Sequence, residues 1–418
     1  MLIQFSVGNY LSFKNIVTLS MVASSKKELE DSNTFFVDKK LKLLKSVAIY
    51  GANASGKTNI FKAMRFFRDF VLYSSRESQV TEKIKVSNFK LSSQTDNEPC
   101  FFEAIFIQDG IKYKYGFQVD KEIVHREWLF YFPKGKEAKL FTREKGIFDT
   151  GTHFKEGSGL SDKTRENALF LSVVAQFNGP ISTAILKWFK KFRIISALGA
   201  IPYTSVAIEG LKNPIFKESV LNFLKAADLG IEGFNVEERK LNLEDLPEPV
   251  KNKMRPGSSV VDFKISTTHK KYADDNKFLA YEQFDLENEE SDGTKKFFVL
   301  SGPILESLKN SYILAVDELD SRLHPLLVQF IIKLFNSGQS NFLNAQLIFA
   351  SHGTGLLHRK LLRRDQVWFT EKDQYSATNL YSLLDYKVRK EASFEKDYIA
   401  GRYGAIPFIR EDNSLFEK

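Results

Sequence analysis

The eight residues Gly51-Ala52-Asn53-Ala54-Ser55-Gly56-Lys57-Thr58 constrain this chain more than any other stretch. Glycine, four variable residues, glycine, lysine and a hydroxyl is the pattern of a phosphate-binding loop, and both flanks suit one. Leu44 to Tyr50 is a short, mostly apolar run fit for a buried parallel strand. From Asn59 to Leu72, the residues Ile60, Ala63, Met64, Phe67, Phe70 and Val71 recur at helical spacing. Strand, glycine loop and helix predict a concave anion site: backbone N–H groups converge at a helix N-terminus and the glycines let the backbone approach phosphates. Lys57 then reaches the terminal phosphates and Thr58 holds Mg²⁺.

Composition narrows the setting. The 418 residues are 43% hydrophobic, enough for a large core, and the 38 phenylalanines are read as core volume rather than base-stacking platforms. Sixty basic against 52 acidic residues leave a formal charge of +8, a modest excess compatible with an anionic partner. Cys100 is the single cysteine, which excludes an intrachain disulfide or a cysteine zinc cluster and fits a reducing compartment. Met1-Leu2-Ile3-Gln4-Phe5 is unlike a signal peptide and no uncharged apolar run approaches a membrane span, so a cytoplasmic protein with no membrane association is expected.

Along the chain, Ile3, Phe5 and Val7, then Val17 and Leu19, predict two early strands, and residues 21–42 a surface excursion. Alternation on either side of Asp109-Gly110 predicts an antiparallel hairpin, extended by strands at Trp128–Phe132 and Ala138–Phe141, with a loop over Gly146–Asp162. A helix with Ile181, Ile185, Trp188, Phe189 and Phe192 on one face follows Pro180; its basic residues Lys187, Lys190, Lys191 and Arg193 are read as a solvated face in preference to a DNA contact. A second starts with Asn213 as N-cap and Pro214 at the first helical position. Residues 238–258 form a candidate linker, and strands resume near Val260–Ile265 and Phe278–Phe284.

Late in the chain, Tyr312 to Val316 is an apolar run ending in Asp317-Glu318. Acids there are costly unless they face an ion or water. Asp317 suits a hydrogen bond to Mg²⁺-bound water, and Glu318 suits polarising the water that attacks a γ-phosphate. Before them, Ser291-Asp292-Gly293-Thr294 opens a helix with small residues, again an anion site. A helix through about Phe335 and the strand Ala345–Ala350 follow, and His352 at that strand's end is placed for a γ-phosphate contact.

In this order the motifs resemble ABC-type ATPases of the RecF, SMC and Rad50 kind, and most of all the stand-alone AAA-family ATPases of phage-defence loci of the abortive-infection AbiLi or RloA type. Asn9-Tyr10-Leu11-Ser12-Phe13, Asn167 to Asn178, Asp317 to Pro325 and Gly401-Arg402-Tyr403-Gly404-Ala405-Ile406-Pro407 add to the resemblance. It implies an α/β P-loop NTPase with an ABC-type head, made of a mixed β layer plus a parallel-sheet core. A helical segment is inserted and there is no coiled-coil arm. The expected divisions are 1–160 for lobe I, 161–280 for the helical insertion and linker, and 281–418 for lobe II.

The resemblance further implies ATP and Mg²⁺ as cofactors. ATP would meet Asn53, Ala54, Ser55, Gly56, Lys57, Thr58, Asn59 and Asp320, and the γ-phosphate would meet Ser291 and Gly293 of a second protomer. Glu318 and His352 would be catalytic; Thr58, Asp317 and Gln176 would serve the metal. A homodimer or higher oligomer with ATP at shared interfaces is expected. Asp292 and Thr294 depart from the usual Leu-Ser-Gly-Gly-Gln signature. Only Thr370 to Lys418 is expected to follow the last core strand, too little for a fused Toprim nuclease, so a nuclease-like effector would act in trans. The expected function is an ATP-hydrolysing dimerisation switch regulating that effector in anti-phage defence. The alternative is a RecF-like repair ATPase that binds DNA through phosphates only. The subunit of a membrane transporter fits less well, because the early hairpin and long middle segment lie outside that pattern.

Overall fold

The protein is described by a computed structural model over residues 1–77, 82–196, 210–241, 260–388 and 392–407. The chain divides into two compact units, residues 1–196 with 307–321 and 328–418, and residues 197–306 with 322–327.

The first unit is built on a six-stranded sheet in the order Phe192–Ser196, Ile313–Asp317, Gln346–Ala350, Ser46–Tyr50, Val367–Lys372, Thr378–Ser382. The first five strands run parallel and the last is antiparallel to its neighbour. Ile313–Asp317, Gln346–Ala350 and Ser46–Tyr50 are buried at every residue. A parallel strand covered on both faces reads as a continuous apolar run, which is why these three stand out in the sequence. Val367–Lys372 and Thr378–Ser382 correct the expectation that the core sheet closes before Thr370: the former pairs directly with the phosphate-loop strand, Trp368 opposite Ile49.

A second, seven-stranded antiparallel sheet contains Leu2–Gly8, Val17–Ser20, Cys100–Gln108, Ile111–Val119, Val124–Tyr131, Ala138–Glu144 and Ile147–Thr150. Asp109 and Gly110 both have positive φ, 51° and 75°, the conformation of the two-residue turn that matches strand twist. Ile147–Thr150 falls in the segment expected to be a loop; it is an edge strand, mostly exposed, so apolar alternation does not mark it. Helix Lys57–Glu77 carries Phe67 into the core, its ring centroid 5.7 Å from Phe5, 5.3 Å from Phe117 and 5.2 Å from Phe189. Phenylalanine thus supplies core volume, and the unit is the expected α/β arrangement of antiparallel layer and parallel core. Helices Phe170–Gln176 and Pro180–Lys190 and the strand Phe192–Ser196 belong to it, so 161–196 falls with the first unit instead of the middle division.

The second unit has helix Pro214–Ala226, whose N-cap Asn213 accepts from Ile215 N–H at 3.0 Å and Phe216 N–H at 3.3 Å. A three-stranded antiparallel sheet follows, Gly233–Leu241, Val260–Tyr272 and Phe278–Asp285, so the middle of the chain is not purely helical. Phe223 stacks on Phe297 at 4.5 Å and 12°. Of the expected linker, 238–241 end a strand and 242–258 lie outside the described residues. Among the described residues the longest helix has 21 residues, and no helix is long and apolar enough to cross a membrane.

Candidate nucleotide-binding site

The phosphate-loop strand Ser46–Tyr50 delivers the chain to a loop with φ of 154° at Gly51, 61° at Ala54 and 110° at Gly56. Glycine is required at both ends of this loop. A Cβ on Gly51 would collide with the carbonyl of Thr370, and one on Gly56 with Thr378 Oγ1. These two threonines, together with Ser12, are the part of the site that sequence reading missed. Thr370 Oγ1 hydrogen-bonds Ser55 Oγ at 2.7 Å, Thr378 Oγ1 donates to Ser55 O at 2.8 Å, and Asn59 Nδ2 donates to Ser12 Oγ at 2.8 Å. The threonines are single hydroxyls on strands distant in sequence and carry no local motif, so only the pairing of Val367–Lys372 with Ser46–Tyr50 could have shown the first of them.

Lys57 is buried, and its ammonium donates to Gly51 O at 2.6 Å and Ala52 O at 2.9 Å. Burial lowers its pKa to about 8, opposed by the charges of Asp317, Glu318 and Asp320. Asp317 closes its strand and is 5% exposed. Burial raises its pKa; the hydrogen bond from Thr58 opposes the rise, Glu318 adds to it, and the charges of Lys57 and Lys62 oppose it. Its Oδ1 is buried without a hydrogen-bond partner. A lone buried carboxylate oxygen beside a threonine hydroxyl at the foot of a phosphate loop fits Mg²⁺, which takes one or two carboxylates with phosphate and water oxygens. Among the described residues there is no group of three or more His, Cys, Asp and Glu side chains that could hold a metal ion.

After Asp317 the backbone leaves the strand with Glu318 at φ 54°, and Leu319 N–H donates to Ala350 O at 3.0 Å, holding the carboxylate strand to the histidine strand. Asp320 Oδ2 accepts from the backbone N–H groups of His352 at 3.0 Å and Gly353 at 2.7 Å, while its Oδ1 is buried without a partner. Asp320 thereby fixes the turn that carries His352. The exposed His352 lines one cleft with Gly51 to Ser55, of about 820 Å³. The structure therefore brings Asn53, Ala54, Ser55 and Gly56 into one region with Lys57, Thr58, Asp317, Glu318, Asp320 and His352.

It does not bring Gln176 there. Gln176 is exposed at the end of helix Phe170–Gln176, and that helix is tied to the far end of Lys57–Glu77 by Ser75 and Ser172, whose hydroxyls lie 2.7 Å apart. Ser75 is eighteen residues beyond Lys57, about 27 Å along the helix. The glutamine expected at the metal is thus displaced by the length of the helix its own helix packs on.

In the second unit, Ser291 Oγ accepts from Thr294 N–H at 3.1 Å and lies 2.9 Å from Thr294 Oγ1, capping helix Asp292–Asn310. Asp292, the departure from the usual signature, is 3.3 Å from Arg322 and 3.9 Å from Lys295. A Cβ on Gly293 would lie 2.9 Å from Arg322 O.

Comparison with known proteins bears on the family. No curated protein matches the chain. Among solved structures, an SMC head domain from Thermotoga maritima is 14% identical with a TM-score of 0.41, covering 91% of this chain and 98% of that one. The recombination mediator protein RecF with ATPrS is 16% identical with a TM-score of 0.37, over 91% and 98%. An Smc head domain with an extended coiled coil, bound to the C-terminal domain of ScpA derived from Pyrococcus furiosus, is 12% identical with a TM-score of 0.35, over 96% and 98%. The sequence profile of one family matches residues 46–357, well over half of the chain and inclusive of the phosphate loop, Asp317, Glu318 and His352. The chain belongs to that family, described as "AAA domain, putative AbiEii toxin, Type IV TA system".

Proposed function

We propose that the protein binds and hydrolyses ATP, that two copies close around ATP, and that this closure regulates a separate effector in anti-phage abortive infection. The observation that carries the nucleotide reading is Asp317 Oδ1, buried and without a protein partner beside Thr58 and near Lys57. Lys57 supplies positive charge to the β- and γ-phosphates, and Thr58 and Asp317 hold the metal and its water. Mg²⁺, when bound, neutralises charge on the phosphoryl oxygens. Glu318 takes the proton of the attacking water, and His352, fixed through Asp320, contacts the γ-phosphate. Ser291 and Gly293 meet the γ-phosphate held by a partner copy, the charge of Asp292 being offset by Arg322. The defence role is supported by the family's own description as a toxin of a toxin–antitoxin system. The effector is a separate, nuclease-like protein on which the switch acts in trans.

Glu318→Gln tests the chemistry and the dimer together. Glutamine keeps the volume but loses the basicity, so hydrolysis falls about a hundredfold or more while ATP still binds. Light scattering coupled to size exclusion should show a larger species with ATP than without it, and Ser291→Arg should reverse that shift. Hydrolysis at the wild-type rate would remove Glu318 as the base, and a mass indifferent to ATP would sink the shared site. Salt-dependent DNA affinity without a partner protein would instead favour the RecF-like reading.

A further inference from the structure

The chemistry above leaves unused a wall of the phosphate-loop cleft formed by the helix Phe394–Ile399 and the turn that follows it, with Tyr398, Ala405 and Ile406 facing Gly51 to Ser55. The ring of Tyr398 stacks on Phe369 at 5.4 Å and 19° and meets Tyr50 edge-on at 6.0 Å. Its hydroxyl donates to Ala405 O at 3.0 Å, and the side chain lines the cleft beside Gly51, the first residue of the loop. Ala405 N–H donates in turn to Glu371 Oε1 at 3.0 Å. Tyr381 shares its hydroxyl proton between Glu371 Oε2 at 3.1 Å and Tyr403 O at 2.9 Å. Glu371 directly follows Thr370, whose hydroxyl holds Ser55. The same helix also reaches the turn after His352, where Thr354 Oγ1 donates to Glu395 Oε1 at 3.1 Å.

We infer that the turn Gly401–Pro407 is a clamp on the phosphate loop, with Tyr398 as the positioning residue, its ring against Tyr50 where the chain enters the loop and its hydroxyl holding Ala405. A loop with positive φ at Gly51, Ala54 and Gly56 gains affinity for phosphate when its shape is set before the ligand arrives. Thr370 and the Tyr398–Ala405–Glu371 chain set it from two adjacent residues of one strand. By thermodynamic reciprocity, whatever the seated turn adds to nucleotide affinity, bound nucleotide returns as stability of the turn. The inference rests on the reading of Gly51–Thr58 as a nucleotide site.

Tyr398→Phe keeps the ring and removes the hydrogen bond to Ala405 O. ATP and ADP affinity by calorimetry should each fall about tenfold, the value of one neutral hydrogen bond, with kcat at saturating ATP within about twofold of wild type. Tyr115→Phe, which deletes a buried hydroxyl bonded to Glu127 in the antiparallel layer, should leave nucleotide affinity unchanged. Should Tyr398→Phe fold poorly, Gly404→Ala offers a second route. It strains a φ of 65° and brings a Cβ to 2.8 Å from Tyr381 Oη and 2.9 Å from Glu371, so it should show the same loss. Amide exchange over residues 398–407 should slow with ATP in the wild type and not in Lys57→Ala. Unchanged affinity in Tyr398→Phe, with Lys57→Ala unable to bind, overturns the clamp alone. Full ATP affinity in Lys57→Ala overturns the nucleotide site and the clamp with it.

Discussion

Glu127 in the antiparallel layer and Asp317 in the parallel core are both carboxylates on strands, both are removed from water, and burial pushes the pKa of each upward. Their surroundings differ. Glu127, fully buried, accepts from Tyr115 Oη at 2.9 Å and from the backbone N–H groups of Phe170 at 2.7 Å and Leu171 at 3.0 Å, with the charge of Arg143 nearby. Asp317 has the Thr58 hydroxyl and an oxygen with no partner. A buried acid whose lone pairs are filled by its own protein ties elements together, here a strand to the start of helix Phe170–Gln176. One left short has a lone pair that its own protein does not fill.

The contrast breaks most visibly on stability. Glu127→Ala strands the Tyr115 hydroxyl and the backbone N–H groups of Phe170 and Leu171 without their acceptor, leaves the nearby charge of Arg143 uncompensated, and should cost about 3–5 kcal/mol in denaturant unfolding, with ATP affinity of the folded protein unchanged. A loss under about 1 kcal/mol would show that Glu127 is not the anchor its contacts suggest.

The next effect falls on ligand binding and runs the other way. Asp317→Asn should leave the unfolding midpoint of the nucleotide-free protein unchanged or higher, because a costly buried charge is removed. The gain in ATP affinity on adding Mg²⁺ should shrink about ten- to a hundredfold, the scale of a lost metal-orienting group. Calorimetric titrations with Mg²⁺ and with a chelator measure it, and an undiminished Mg²⁺ effect would contradict the assignment.

The smallest effect sharpens the electrostatics of the core site. Lys57 has its pKa lowered to about 8 from 10.5. Between those values the unfolded chain holds a proton that the folded one has lost, so its contribution to stability grows as pH rises from about 8 to 10.5 and is lost as pH falls back through 8. Phosphate favours the charged form, so ATP binding above about pH 8 should take up to about one proton and weaken as pH rises. Titrations near pH 8.5 in buffers of different ionisation enthalpy read the uptake directly. None in the wild type would place Lys57 away from the phosphates.

The local rules of the chain were readable where neighbours in sequence decide the outcome. Asp109-Gly110 marks its hairpin because the turn demands two positive φ values, and Asn213 marks its helix because the cap bonds lie two and three residues ahead. Gly51 to Thr58 and the Asp317-Glu318 strand end were readable for the same reason. Gln176 was misplaced because its resemblance fixed a residue type and an order along the chain but no distance, and the helix it packs on points its end away.

The sequence by itself therefore determined which segments carry phosphate chemistry and which residues could perform it, since a loop, its strand and its helix lie within one short window. Tertiary structure alone decided what surrounds them. Ser46–Tyr50 pairs with Gln346–Ala350 and Val367–Lys372, some three hundred residues on, and Gly51 lines one cleft with Tyr398. Such pairings are chosen by burial and register among all strands at once, so no local periodicity records them.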